Sequence, residues 1–402
     1  MNTGDAYYIK NLNRKIIIEH ILREKSLSRS ELARWTGLNK ATVSSQVSSL
    51  LEAGIIQETR VGDLLTPGRK PILIEMNEKG GYSLGIDIDH TIVRAVFIDY
   101  KGKPFFKKKL EIPEAEAPII ISEVIEILRP LIQYFNDSFT PRGLIGICIG
   151  FHGILDIEGR VVFTPKEKWA DADIKQVVKS KLDVPTYIDN NANLSAYGEQ
   201  VYFENIPDML CITLYSGIGL GIINNYRIYR GFKGFAGEIG HMIVHPDGDQ
   251  CSCGNKGCWE LYASEQALVK QVANHFTSSE DRPIQNLLTD TTFNYELDRY
   301  LTYLGIGLNN IVNIFNPQRI VLNGAIINEN PIFIREVKKK LISKMNSYEE
   351  IRFSHLGEYA CAIGGAAYAI KKYLNVNTLN FIKYNYFTGE TCEESLRYHS
   401  IC

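Results

Sequence analysis

The stretch Cys251-Ser252-Cys253-Gly254-Asn255-Lys256-Gly257-Cys258 puts three of the chain's eight cysteines within eight positions, and His241 lies ten residues ahead of the first. Three thiolates and an imidazole are a donor set that tetrahedral zinc prefers, and Gly254 and Gly257 let the backbone turn all three sulfurs toward one ion. His241, Cys251, Cys253 and Cys258 are therefore expected to form a closed, four-ligand structural zinc site. The competing reading is three cysteines that are simply buried. Nothing in the stretch offers an open coordination position with a base beside it, so hydrolytic zinc chemistry is not expected. Glu238 and Glu260 flank the stretch, and with His241 they would be held beside the metal as hydroxyl-binding groups.

A second set of candidate residues lies near the front. Asn39, Lys40, Thr42, Ser44, Ser45 and Gln46 are small or polar, and Lys40, Thr42, Ser45 and Gln46 can reach phosphates or base edges from a helix seated in a major groove. The elements that would position them are legible. Ile9, Leu12, Ile16, Ile17 and Ile21 recur at helical spacing, giving a helix that ends before Ser26. Ser28-Arg29-Ser30-Glu31 has the capping-box form and opens a helix that buries Leu32 and Ala33 and stops at Gly37. Asn39 caps the next helix, with Val43, Val47, Leu50 and Leu51 inside and Lys40, Ser44, Ser45 and Ser48 outside. Residues 55–59 and 71–76 read as strands around Thr66-Pro67-Gly68-Arg69-Lys70, and a Gly68-Arg69-Lys70 tip suits a minor groove. A plain three-helix packing unit is the alternative. Helix, turn, helix and basic hairpin in this order argue instead for a winged helix-turn-helix that binds DNA.

At 402 residues the chain exceeds one ordinary core, and 45% hydrophobic with 22% charged residues is an ordinary globular composition. Net charge is −2, with residues 1–80 holding 12 Lys+Arg against 9 Asp+Glu (+3) and the remainder −5, a mild asymmetry that permits nucleic-acid binding at the front. No apolar run is long enough for a membrane span, and the N-terminus lacks the apolar core of a secretory signal, so a cytoplasmic protein is expected. Cys148, Cys211, Cys361, Cys392 and Cys402 are scattered, which fits reduced thiols. Four segments follow: a head over 1–80 ending at Gly80-Gly81, a first α/β lobe over 81–200, a second lobe with the cysteine clip over 201–372, and an extension over 373–402. In the first lobe, 82–87, 92–99, 105–110 and 144–150 read as strands and 122–135 as a helix, giving a mixed sheet with helices on its faces. The second begins with a strand over 209–214 and the turn Ser216-Gly217-Ile218-Gly219-Leu220-Gly221. That turn suits phosphate approach or a tight hairpin equally. Asn323-Gly324-Ala325 and Gly364-Gly365-Ala366-Ala367, the latter opening a final helix, fit either an adenosine pocket or close helix contacts.

Gly150-Phe151-His152-Gly153-Ile154-Leu155-Asp156, Asp189-Asn190-Asn191-Ala192-Asn193, Gly237-Glu238-Ile239-Gly240-His241, the clip from Cys251 to Glu260, and residues 308–317 together resemble the ROK family of repressors, open reading frames and sugar kinases. The resemblance covers about residues 8–372 and implies an actin-like ATPase (ribonuclease H-like) fold. With the winged helix in front, the chain resembles the family's xylose-repressor branch. It implies that Gly153, Asn190, Asn191, Glu238, His241 and Glu260 bind sugar hydroxyls. Two departures bear on catalysis. Family kinases carry aspartate where this chain has Asn191, and an amide cannot serve as general base. Their first phosphate loop reads Asp-x-Gly-Gly-Thr, whereas Asp87-Ile88-Asp89-His90-Thr91 loses both glycines and adds a charge. A sugar kinase is therefore the lesser reading, and no enzymatic activity is expected. A third departure, Lys166, is expected with neighbouring Trp169 to reshape the sugar pocket. The expected protein is a sugar-responsive repressor, with xylose the favoured ligand, working as a homodimer or dimer of dimers on a roughly palindromic operator. Lobe closure on the sugar would reach the heads through Gly80-Gly81. A ligand-free dimeric scaffold that docks a protein partner is the remaining alternative.

Overall fold

The head folds because its local signals agree with its apolar stripes. The structure is a computed structural model and describes residues 6–60, 71–89, 92–156, 160–164, 169, 173–273, 293–330 and 332–386. Helix Ala6–Glu24 buries Ile17, Ile18, Ile21 and Leu22. Ile9 and Leu12, expected on that inner stripe, remain 49% and 42% exposed, so the stripe becomes core only from Ile17 onward. Both halves of the capping box form: Ser28 Oγ accepts from the Glu31 amide at 3.2 Å and Glu31 Oε2 accepts from the Ser28 amide at 2.8 Å. Helix Arg29–Thr36 then stops at Gly37, whose φ of 70° is the left-handed cap a glycine adopts without strain. Asn39 Oδ1 accepts the Thr42 amide at 2.8 Å and starts helix Lys40–Glu52. Strands Ile56–Arg60 and Ile72–Met76 pair antiparallel as expected, and Ser26–Ser28 adds a third strand on the far side of Ile72–Met76, tucking Leu27 into the core.

The body holds two five-stranded sheets of identical plan. The first runs Thr186–Asn190, Leu144–Phe151, Tyr82–Asp89, Ile92–Asp99, Pro104–Glu111; the second runs Glu350–Phe353, Arg319–Asn323, Met209–Thr213, Gly219–Asn224, Arg227–Ile228. In each, the middle strand makes antiparallel pairings on the hairpin side and parallel pairings toward the crossover strands. This duplicated arrangement is the actin-like fold. Helix Ala117–Ser138 covers the first sheet with Ile120, Val124, Leu128 and Ile132. It starts five residues before the expected helix, because Pro118 in its first turn is compatible with a helix entry. Helix Asn294–Phe315 covers the second with Tyr300, Leu304, Leu308 and Ile311.

Helices Asn191–Glu199 and Ala360–Leu374 pack against each other between the sheets. The Gly364 to Ala367 run lies inside the second of these rather than opening it. A Cβ on Gly364 would sit 1.8 Å from the Leu194 carbonyl oxygen, so its smallness serves close helix contact.

Head and body share one buried cluster. Ile17, Leu32, Val47 and Ile74 of the head join Tyr100, Ile370 and Leu374 of the body, together with Leu379 and Phe381 from the extension. The junction glycines are tightly packed: a Cβ on Gly80 would lie 2.0 Å from the Gly54 carbonyl oxygen and one on Gly81 2.6 Å from the Tyr100 hydroxyl. The extension runs across this junction, with its Asn377 amide donating to Glu19, Lys383 pairing with Glu24, and the Phe381 amide donating to the Val201 carbonyl.

Candidate functional site

Asn190 ends a strand and caps the following helix, so its side chain is fixed by both. Oδ1 accepts the Ala192 amide at 2.8 Å and Nδ2 donates to the Gly153 carbonyl at 2.8 Å. Asn191 follows as the first residue of that helix. From the other lobe, Glu238 leads into the 3-10 turn Ile239–His241 and Glu260 opens the short helix Glu260–Ala263. Glu260 Oε1 lies 3.5 Å from His241 Nδ1. Burial pushes the Glu238 carboxyl above its usual range, with His241 opposing and the nearby Glu260 charge adding. All six residues named from the resemblance, Gly153, Asn190, Asn191, Glu238, His241 and Glu260, line one cleft between the lobes. His152 lines it too. It belongs to the Gly150 to Asp156 motif, but a lone histidine carries no sequence signal that its side chain faces a cleft. Trp169 does not reshape this pocket: it is 4% exposed, packs edge-on against Phe151 and donates Nε1 to the Ala115 carbonyl at 3.0 Å, as a core residue. Lys166 lies outside the described residues.

The clip forms as a compact cluster. The donor atoms of His241, Cys251, Cys253 and Cys258 all lie within 4.8 Å of one another, with Cys253 and Cys258 sulfurs 3.5 Å apart and Cys251 Sγ 3.7 Å from His241 Nδ1. Ligands at ~2.3 Å around a tetrahedral zinc stand about 3.8 Å apart, so the donor set fits a metal ion of that kind. A Cys251 amide bond to the Asn255 carbonyl and a Gly257 amide bond to the Asp249 carbonyl close the loop around them.

A second cleft adjoins the first, sharing His152 and Asn191 with it, and is lined by Asp87, Asp89, Arg94, Thr213, Ser216, Gly217, Asn323 and Glu358 among others. Arg94 occupies it as a hub. Its Nε lies 3.0 Å from Glu358 Oε2, and its Nη1 lies 3.7 Å from Asp87 and 4.0 Å from Asp89. Burial drives the Asp87 carboxyl up to about 7, with the Asp89 charge adding and Arg94 opposing. Asn323 thus lines a cleft, whereas Gly364 belongs to a helix contact. His90 and Thr91 lie outside the described residues.

On the head, Asn39, Lys40, Ser44 and Ser45 are exposed and Thr42 is half-buried along one face of helix Lys40–Glu52. Gln46, expected among these contacts, is instead 5% exposed and shares the inner side with Val43, Val47 and Leu50, so it does not present its amide to a groove. Gly68, Arg69 and Lys70 lie outside the described residues.

A family model described as the ROK family matches residues 83–372, and one described as winged helix-turn-helix DNA-binding matches residues 10–57. The xylose repressor of Bacillus subtilis (strain 168) is 37% identical over 389 residues, spanning 94% of this chain and 100% of the relative. A solved ROK family transcriptional regulator, a homologue of the E. coli MLC protein, has the same fold with a TM-score of 0.76 at 22% identity, covering 91% of this chain and 96% of that one. A ROK family glucokinase from Streptomyces griseus, solved with glucose and AMPPNP, matches with a TM-score of 0.62 at 26% identity, over 72% of this chain and 99% of that one.

Proposed function

Because the chain belongs to the ROK family and carries a winged helix-turn-helix ahead of its two-lobed body, we infer that it is a sugar-responsive DNA-binding repressor. The observation that supports the sensing half most is the convergence of Gly153, Asn190, Asn191, Glu238, His241 and Glu260 on one interlobe cleft. Carboxylates and amides held in fixed directions suit a polyol and penalise an analogue lacking a hydroxyl. Similarity to the B. subtilis xylose repressor makes D-xylose the first ligand to test. The exposed face of helix Lys40–Glu52 supports Asn39, Lys40, Thr42, Ser44 and Ser45 as DNA contacts, and Gly68, Arg69 and Lys70 would add a minor-groove contact. Two heads would engage two half-sites of an operator through a homodimer or dimer of dimers in the cytoplasm.

Zinc held by His241, Cys251, Cys253 and Cys258 would supply a rigid tie between loop segments and no reaction step. The residues it braces, Glu238 and Glu260, do the recognising. Phosphoryl transfer is disfavoured on two grounds. Asn191 offers no base to a sugar hydroxyl, and the cleft beside it is lined by the carboxylates of Asp87, Asp89 and Glu358 around Arg94, which set negative charge where a phosphate chain would have to approach. A ligand lowers operator affinity only by binding one lobe arrangement more tightly than the other.

One series tests the reading: a thermal-shift panel of pentoses and hexoses, followed by gel-shift titration of promoter DNA with each stabilising sugar. The expected result is one sugar that raises the melting temperature and weakens DNA binding at least about tenfold, about 1.4 kcal/mol, with Glu260→Gln losing both effects. If no sugar changes DNA affinity, the induction model falls. The same samples should carry one zinc per chain, and full sugar response after complete metal removal would take the clip out of the mechanism.

A further inference from the structure

Beside the sugar cleft, sharing Asn190 and Gly234 with it, lies a larger cavity. Its volume is about 420 Å³, against about 40 Å³ for the sugar cleft, within the ~300–1,000 Å³ typical of small-molecule sites. Three cations reach it from three elements: Lys175 from helix Ile174–Lys181, Arg230 from just past strand Arg227–Ile228, and Lys372 from helix Ala360–Leu374. The two carboxylates in its wall are already engaged. Asp189 pairs with Arg230 and accepts from Asn193 Nδ2 at 3.1 Å, while Asp156 accepts the Arg160 amide at 2.9 Å. Lys372 rests over the Tyr368 ring at 5.2 Å and has no carboxylate at ion-pair distance among the described residues. Asn193 lines the same cavity; it is 4% exposed, and its Oδ1 is buried with no hydrogen-bond partner.

We propose that this cavity binds a small hydroxylated anion, a polyol carrying a phosphate or carboxylate group. The anionic group would sit among Lys372, Arg230 and Lys175, where charge-assisted hydrogen bonds are strongest, and a hydroxyl would donate to the orphaned Asn193 oxygen. Surrounding charge points the same way. Lys371 is pushed down to about 8 by burial and by the crowding of Lys372, Arg230, Arg227 and Lys15, so cations gather on this side of the body. Asn190 and Gly234 belong to the walls of both cavities, and Asp189 and Arg230 join the two lobes. Occupancy would therefore be felt in the sugar cleft; this coupling, though not the site, rests on the sugar-sensor reading.

Calorimetric titration of the full-length protein with glycerol 3-phosphate and with glycerate, at fixed ionic strength, tests the site. Saturable binding of at least one is expected, weakened at least about tenfold in Lys372→Gln, the loss of one charge-assisted contact. The compound that binds tighter identifies the anionic group. No saturable binding of either at millimolar concentration, or equal binding by Lys372→Gln, overturns the proposal. The sugar thermal shift, measured on both proteins, is expected to survive in Lys372→Gln. If anion binding depends on Lys372 while no sugar shifts either protein, the anion site stands and the sugar reading fails.

Discussion

Asp87 is 6% exposed in the wall of the second cleft, and its Oδ1 has no hydrogen-bond partner. Desolvation outweighs the Arg94 charge 3.7 Å away, which is why the carboxyl rises to about 7. The sign of the pH effect follows from a folded-state value above the unfolded one of 3.8. The stability this group contributes is fully present below about pH 4 and is lost as pH rises through 7, at a rate approaching 1.4 kcal/mol per pH unit within that window. Asp87→Asn is expected to flatten the fall in melting temperature between pH 5 and pH 8; an unchanged slope would show that Asp87 ionises freely. Arg94 itself was not legible as a site residue. Its main partner, Glu358, lies 264 positions away, and no spacing rule links the two.

Local elements were legible where their signals were local. Ser28 with Glu31, Gly37 and Asn39 marked three helix boundaries because each acts within four residues of itself. The polarity of Gln46 points outward in the sequence, whereas its position points inward. It stands three residues after Val43 and four before Leu50, on the buried stripe. Strand Ser26–Ser28 was missed because three residues carry no period, and their pairing with Ile72–Met76 is long-range. The glycines of helix Ala360–Leu374 read in the sequence as a helix opening, whereas their role depends on a helix over 160 residues earlier. Gly364→Ala would drive a methyl into the Leu194 carbonyl, and a loss of about 1–3 kcal/mol is expected. Thermal unfolding measures it, and a melting temperature equal to that of the parent would mean the two helices separate without cost.

At the scale of the molecule, the two-lobe plan was legible from repeated strand order and the clip from cysteine spacing, whereas the contact between head and body was not. The extension offered only aromatic residues without a pattern, yet Phe381 is 1% exposed in the cluster that joins them. Ending the chain after Leu374 removes Phe381 and both hydrogen-bonded ties to Glu19 and Glu24. The intact protein is expected to melt in one calorimetric transition and the shortened one in two, the head first. Two transitions in the intact protein would show that the shared cluster does not couple them. That packed junction also decides how the regulator fails. With head and body cooperative, a substitution that destabilises the body anywhere also releases DNA, so damage to the sensor produces unregulated expression and rarely permanent silence. The genes under its control would be switched on by error, and only substitutions confined to the cleft, leaving the fold intact, would lock them off.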